Sequence, residues 1–172
     1  FELVKRARVA QAQVENYTQE QIDNVCRSVA WQTYCDENIR ICAETAVGET
    51  GMGNVADKIT KHRNKVLGSL LESLKGKTVG LIEENATLGI RKYAKPVGVI
   101  GALSPVTNPT ATPASNAIAI LKGRNAFILA PHPAAKRSAK VVCDFMRAGL
   151  RPAGAPEGLV RFVAAPSLVL RQ

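Results

Sequence analysis

The residues best suited to chemistry stand in one stretch, Gly98-Val99-Ile100-Gly101-Ala102-Leu103-Ser104-Pro105-Val106-Thr107-Asn108-Pro109-Thr110-Ala111-Thr112-Pro113. The apolar run Val97–Leu103 leads into a polar loop stiffened by Pro105, Pro109 and Pro113, and the loop leads into a helix-compatible segment. In an open parallel sheet, the crevice at the carboxyl ends of the strands is where ligands bind. Asn108 lies in that loop, and a neutral amide there can donate to an oxyanion as negative charge develops on it. A plainer role also fits Asn108, because asparagine caps helices and turns loops through its own side chain. Gly98 and Gly101 do not complete a GxGxxG dinucleotide fingerprint.

The other candidate groups are Cys26, Cys35, Cys42, Cys143, His62 and His132. They show no CxxC spacing and no zinc-like cluster, so no metal site is expected. Cys35 and Cys42, seven apart, are expected on one face of a helix, and Cys143 in Val141–Met146 reads as a core position. Buried reduced thiols are the expectation, with a reactive thiol or disulfide as the alternative. His132, between Pro131 and Pro133, reads either as a turn residue or as a ligand.

The elements that must position these groups follow from periodicity. Thr18-Gln19-Glu20-Gln21 fits a capping box, and Ile22, Val25, Cys26 and Val29 follow at helical spacing. A further helix carries Ile39, Cys42, Ala43 and Ala46 and is expected to stop at Gly48 or Gly51. Asn54 caps another, with Val55, Ile59, Val66, Leu70 and Leu74 on one face and Gly76 at its end. After Lys77 the period changes: Val79–Ile82 and Thr87–Ala94 read as short extended segments. Val97–Leu103 and Ala126–Ala130 are continuously apolar, as in strands covered on both faces, and Leu159–Ala164 makes a third strand. Pro113–Lys122 and Pro133–Ala148 lie between them as helices, each opened by a proline, while Arg151–Gly158 reads as a loop. The expected fold is therefore α/β: amino-terminal helices followed by part of a Rossmann-like parallel sheet. Its expected parts are a helical region 1–78, an extended segment 79–96 and a βαβαβ region 97–172. Three parallel strands without closing elements read as an incomplete domain.

Composition sets the outer bounds. The 172 residues are 46% hydrophobic and 22% charged, which is globular, and only 5% are aromatic, so the core must be built from aliphatic side chains. No apolar run approaches the roughly 18 residues of a membrane span, and the Phe1–Arg6 start is charged, so a soluble, non-secreted, cytoplasmic protein is expected. Of the net charge of +9, an excess of +8 falls after residue 78, which favours an anionic partner without choosing among nucleic acid, phosphate-bearing cofactor and acidic protein surface.

Several words of the sequence, in order and spacing, resemble the CoA-acylating branch of the aldehyde dehydrogenase superfamily. They are Glu49-Thr50-Gly51-Met52-Gly53-Asn54 with Asp57-Lys58, Pro96-Val97-Gly98-Val99-Ile100, Pro105-Val106-Thr107-Asn108-Pro109-Thr110, Leu121-Lys122-Gly123-Arg124-Asn125-Ala126 and Pro131-His132-Pro133. The match runs from near residue 5 to near residue 169, almost all of this chain but only the amino-terminal portion of a family subunit. The resemblance implies oxidation of an aldehyde to an acyl-CoA with NAD or NADP, or the reverse, through a cysteine thioester that CoA then resolves. It also implies that Asn108 is the oxyanion-hole amide, that Ser104, Pro105, Val106 and Thr107 line the nicotinamide side of the cofactor crevice, and that Pro131, His132 and Pro133 lie near the adenosine ribose. A homodimer or homotetramer is implied too, with extended segments such as Leu88–Lys95 taking part.

The departures are equally specific. In the family the nucleophilic cysteine lies well downstream, and none of the four cysteines here stands in a matching context, so this chain alone is not expected to turn over substrate. The glycine-containing turn that completes the cofactor site is absent, and Gly48 stands where an acidic residue is usual. Acetaldehyde, propionaldehyde, succinic semialdehyde and sulfoacetaldehyde all remain open as substrates. Two rivals compete with this reading. A nucleic-acid module would explain the charge, but Arg91, Lys92, Lys95, Lys122, Arg124, Lys136, Arg137 and Lys140 are scattered, with Tyr93 their one aromatic neighbour, and no reading motif is present. A non-catalytic assembly subunit would use Leu88–Lys95 as an edge strand.

Overall fold

The structure, a computed structural model, describes residues 2–165; the end of the expected βαβαβ region, 166–172, lies outside the described residues. Four helices come first: α1 (Glu2–Val14), α2 (Gln19–Tyr34), α3 (Asp36–Thr50) and α4 (Val55–Lys75). An antiparallel hairpin of β1 (Gly80–Asn85) and β2 (Ile90–Ala94) follows. The chain then alternates β3 (Val99–Ser104), α5 (Ala111–Lys122), β4 (Ala126–Pro131), α6 (Lys136–Leu150) and β5 (Val160–Phe162). The three strands pair in parallel in the order β3-β4-β5.

The expected helix signals operate as their chemistry dictates. Thr18 and Gln21 form the reciprocal capping box, at 3.2 and 2.8 Å. α3 ends at Gly51, whose left-handed conformation (φ 64°) costs a glycine little. The Asn54 side chain accepts from Asp57 N at 2.9 Å to start α4. The position of Gly48 is exposed, with open space where a side chain would stand, consistent with a tolerant surface site.

Several elements differ from expectation. α1 falls within the expected helical region 1–78 but is not legible as a separate helix, because its buried stripe of Ala7, Ala10 and Val14 is two-thirds alanine and gives little periodic signal. Cys35 does not share a helix face with Cys42: it sits at the junction, closing α2 and opening α3. Pro133 opens a single 3-10 turn, Pro133–Ala135, and α6 begins only at Lys136. The loop before the last strand contains a 3-10 turn at Glu157–Leu159, which leaves β5 shorter than Leu159–Ala164. In the hairpin, Ala86–Gly89 forms the turn, so β2 starts at Ile90 rather than Thr87.

β4 is buried at both parities, from Ala126 to Leu129, with α1 and the α5–α6 pair packed against it. This is the environment expected for a continuously apolar strand. β3 departs from it. Leu103 is 63% exposed and Gly101 is open, because the cover over that face reaches Val99 but not beyond, whereas Ile100, Ala102 and Ser104 on the other face are covered.

α2 packs across α5 and α6 and makes the aliphatic core continuous from Val25, Cys26 and Val29 to Ile118, Val142 and Met146. At Gly149 the two backbones approach so closely that an added Cβ would lie 2.6 Å from Val29 Cα, and the Ser28 hydroxyl donates to the Gly149 carbonyl at 2.6 Å. The 121–126 motif is structural. Asn125 Oδ1 accepts from Val97 N (2.7 Å) and Gly98 N (2.9 Å), fixing the start of β3. Arg124, at φ 58°, donates to the carbonyls of Glu15 (2.5 Å) and Ala94 (3.1 Å), and buried Lys122 pairs with Asp23 of α2.

Candidate active site at the carboxyl ends of β3 and β4

The parallel register sets Ser104, the last residue of β3, opposite Pro131, the last of β4. Beyond that pair, the His132 backbone N–H donates to the Ser104 carbonyl at 3.0 Å. The two segments singled out in the sequence, 104–107 and 131–133, are thus joined at Ser104, at the carboxyl ends of adjacent parallel strands, where open sheets present ligand crevices. The Ser104 hydroxyl is buried and finds no hydrogen-bond partner among the described residues. A buried hydroxyl without a partner costs about 1–3 kcal/mol, so a polar ligand group reaching it would recover that cost. Pro105 and Thr107 are exposed and Val106 is half-buried.

Asn108 is buried, at 7% exposure, four residues beyond the end of β3. It does not cap the following helix: the N-cap of α5 is Thr110, and no side chain caps that end. The helix-capping alternative for Asn108 is thereby removed.

At His132 the turn role is realised: Nδ1 accepts from Ala134 N at 3.1 Å and closes the 3-10 turn. With Nδ1 accepting, a neutral ring carries its proton on Nε2 and keeps a donor for a hydroxyl or phosphate oxygen.

The amino terminus of α6, which directly follows, is already filled by a side chain. Glu49 of α3 accepts from Arg137 N (2.8 Å), Ser138 N (2.7 Å) and Ser138 Oγ (2.5 Å). Burial alone would raise its pKa, but the Ser138 hydroxyl and these two amides outweigh it and hold the carboxyl below its usual value. Sequence reasoning gave Glu49 no role beyond membership of a motif. Its partner is 89 residues away, and no local signal reports such a contact.

Three of the four thiols are core groups. Cys26, Cys42 and Cys143 are fully buried, and burial pushes their pKa values up to about 12, about 12 and about 11. Cys35 is half-buried at the α2–α3 junction, outside the loop that carries Asn108. No group of three or more His, Cys, Asp or Glu side chains converges as a metal site among the described residues.

A parallel sheet in the order β3-β4-β5, joined through α5 and α6 and packed against α1, defines a Rossmann-like α/β unit. The chain belongs to the aldehyde dehydrogenase family, whose model matches residues 2–170. It is 60% identical over 167 residues to a sulfoacetaldehyde dehydrogenase of Acholeplasma sp, covering 97% of this chain and 34% of that protein. To the acylating sulfoacetaldehyde dehydrogenase of Bilophila wadsworthia it is 54% identical, covering 96% of this chain and 36% of the relative. The crystal structure of an acetylating aldehyde dehydrogenase from Geobacillus thermoglucosidasius superposes with a TM-score of 0.93 at 33% identity, over 97% of this chain and 36% of that one. The chain therefore spans about a third of the length of these relatives.

Proposed function

We propose that this chain is the amino-terminal, cofactor-side part of a CoA-acylating aldehyde dehydrogenase, with the catalytic domain and its nucleophilic cysteine outside these residues. The observation that supports the reading is the pairing of Ser104 with the Pro131–His132 turn at one sheet end, where the buried Ser104 hydroxyl is left unpaired among the described residues; Asn108 follows in the same loop, buried and free of capping duty. Region 1–78 supplies the helical support, 79–96 the hairpin and 97–172 the parallel cofactor unit.

In this reading Ser104, Pro105, Val106 and Thr107 would line the nicotinamide side of NAD or NADP, with Ser104 Oγ offering a hydrogen bond, and the dinucleotide would supply the hydride acceptor for the substrate carbon. Pro131, His132 and Pro133 border the adenosine ribose, toward which His132 Nε2 is a donor. Asn108 acts when a thiolate adds to the aldehyde: the carbonyl π electrons move onto oxygen, and Asn108 Nδ2 donates to that oxyanion. The donor is worth most in the transition state, when charge is greatest, and loss of one such donor costs about 10² to 10³ in turnover. CoA then takes the acyl group from the thioester and releases the thiolate.

Sulfoacetaldehyde is the favoured aldehyde among the four left open, since the relatives at 60% and 54% identity carry that name. The basic excess after residue 78 suits an anionic substrate and the phosphates of CoA.

The hairpin supports the homo-oligomer. Two strands alone are marginal in water, yet Ile82, Leu88, Ile90 and Tyr93 stand exposed on this one. No helix among the described residues is long and apolar enough to cross a membrane, and the proposed location is cytoplasmic.

The test is to incubate the protein made from its own gene with sulfoacetaldehyde, CoA and NAD or NADP. CoA-dependent reduction of the dinucleotide with formation of the acyl-CoA is expected. No reduction with any of the four aldehydes overturns the proposal.

A further inference from the structure

α4 carries a polar row, Lys58, His62, Lys65 and Ser69, whose steps of four, three and four residues return to one face of a helix. Each member meets the segment after β3, in order. Lys58 Nζ donates to the Thr107 carbonyl at 2.7 Å. His62 Nδ1 lies 3.4 Å from Thr110 Oγ1, Lys65 Nζ donates to Thr112 Oγ1 at 3.5 Å, and the Ser69 and Ser115 hydroxyls are 2.5 Å apart. Sequence reasoning gave His62 no role and took Lys58 only as part of a motif, because partners more than 40 residues away leave no local periodicity.

The geometry points to a positioning function for this row, with Lys58 as the residue that sets Asn108 in place. The inference rests on the oxyanion role of Asn108 proposed above. The Thr107 carbonyl that Lys58 holds belongs to the same planar peptide unit as the Asn108 N–H, so fixing one end of that plane fixes the direction in which Asn108 leaves it. The loop has little else to hold it. Pro105 and Pro109 have no N–H to donate, and among the described residues no other side chain hydrogen-bonds to residues 105–109. His62, fully buried and kept neutral by burial that pushes its pKa down to about 4, anchors the far end of the loop at Thr110. Misplacing a reacting group by about 1 Å costs about 10²-fold in rate, so a loop secured at these two points has direct catalytic value.

Three variants of the protein made from its own gene separate the possibilities: Lys58→Met, Lys58→Arg and Asn108→Ala. Amide hydrogen exchange is followed alongside turnover. Lys58→Met is expected to lower turnover about tenfold or more with the aldehyde KM little changed, and to speed exchange across 105–110 while leaving α5 and α6 protected. Lys58→Arg, which restores a long cationic donor, is expected to recover most of both. Exchange at 105–110 unchanged by Lys58→Met overturns the positioning role, as does a turnover loss accompanied by loosening of the whole core. Unchanged turnover in Asn108→Ala instead overturns the oxyanion reading, and the exchange data still decide whether Lys58 holds the loop.

Discussion

Glu49 and Ser138 are joined by two hydrogen bonds, the carboxylate accepting from the backbone N–H at 2.7 Å and from the hydroxyl at 2.5 Å. α6 has no side-chain cap of its own at Ala135, so a residue from α3 satisfies the free N–H groups of its first turn and complements its dipole. The contact locks the helical region onto the parallel unit immediately behind the Pro131–Pro133 turn.

Glu49→Ala is expected to destabilise the protein by about 1 kcal/mol, the usual value of a helix cap, read by denaturant unfolding. The pH dependence follows from the lowered pKa. The folded-state value lies below the ordinary 4.5, so the stabilisation is fully present above about that pH and is lost as pH falls through the folded value. Glu49→Ala should therefore flatten the acid limb of the stability profile, and an identical acid limb in both proteins contradicts the assignment.

Gly149→Ala is expected to cost about 2 kcal/mol, because the new methyl would meet Val29 Cα at 2.6 Å and Ser28 O at 2.8 Å, and backbone atoms cannot move aside as a flexible side chain can. A thermal midpoint equal to that of the parent protein would mean that α2 and α6 slide apart freely.

Ser104→Ala separates binding from stability. Removing a buried hydroxyl that has no partner should leave unfolding free energy unchanged or slightly raised. The KM for the dinucleotide should rise, by about fivefold if one neutral hydrogen bond of about 1 kcal/mol is lost. A fall in stability with an unaltered KM would place this hydroxyl in the core rather than in the cofactor crevice.

Cys143→Ser puts a hydroxyl where a fully buried thiol packs beside Val142 and Met146. A stability loss of about 1–3 kcal/mol is expected with turnover retained, since the thiol's pKa of about 11 keeps it protonated at neutral pH. Complete loss of acylating activity in a folded variant would overturn its structural role.

Much of this architecture was legible because its signals are local. The capping box at Thr18, the Asn54 cap, the left-handed Gly51 and the apolar β4 run each declare themselves within a few residues. What was not legible depends on distance or on weak contrast. α1 is hidden by its alanines, and a seven-residue spacing does not reveal that a break between two helices falls at Cys35. The one-sided burial of β3 depends on which neighbours it has, which an apolar run does not report. At the candidate site, residue type and motif single out Asn108 and the Pro131–Pro133 turn, and the motif words also contain Glu49 and Lys58. The contacts of Lys58, His62 and Glu49 are not legible, because each partner is remote in sequence.

The central claim is that Asn108 donates to the developing oxyanion, and the most direct measurement is the single-turnover rate of dinucleotide reduction by Asn108→Ala in the protein made from its own gene, with dinucleotide affinity measured in parallel. The expected result is a fall of about two orders of magnitude with affinity and unfolding unchanged. A rate within about threefold of the parent, in a folded protein that binds the dinucleotide normally, would contradict it.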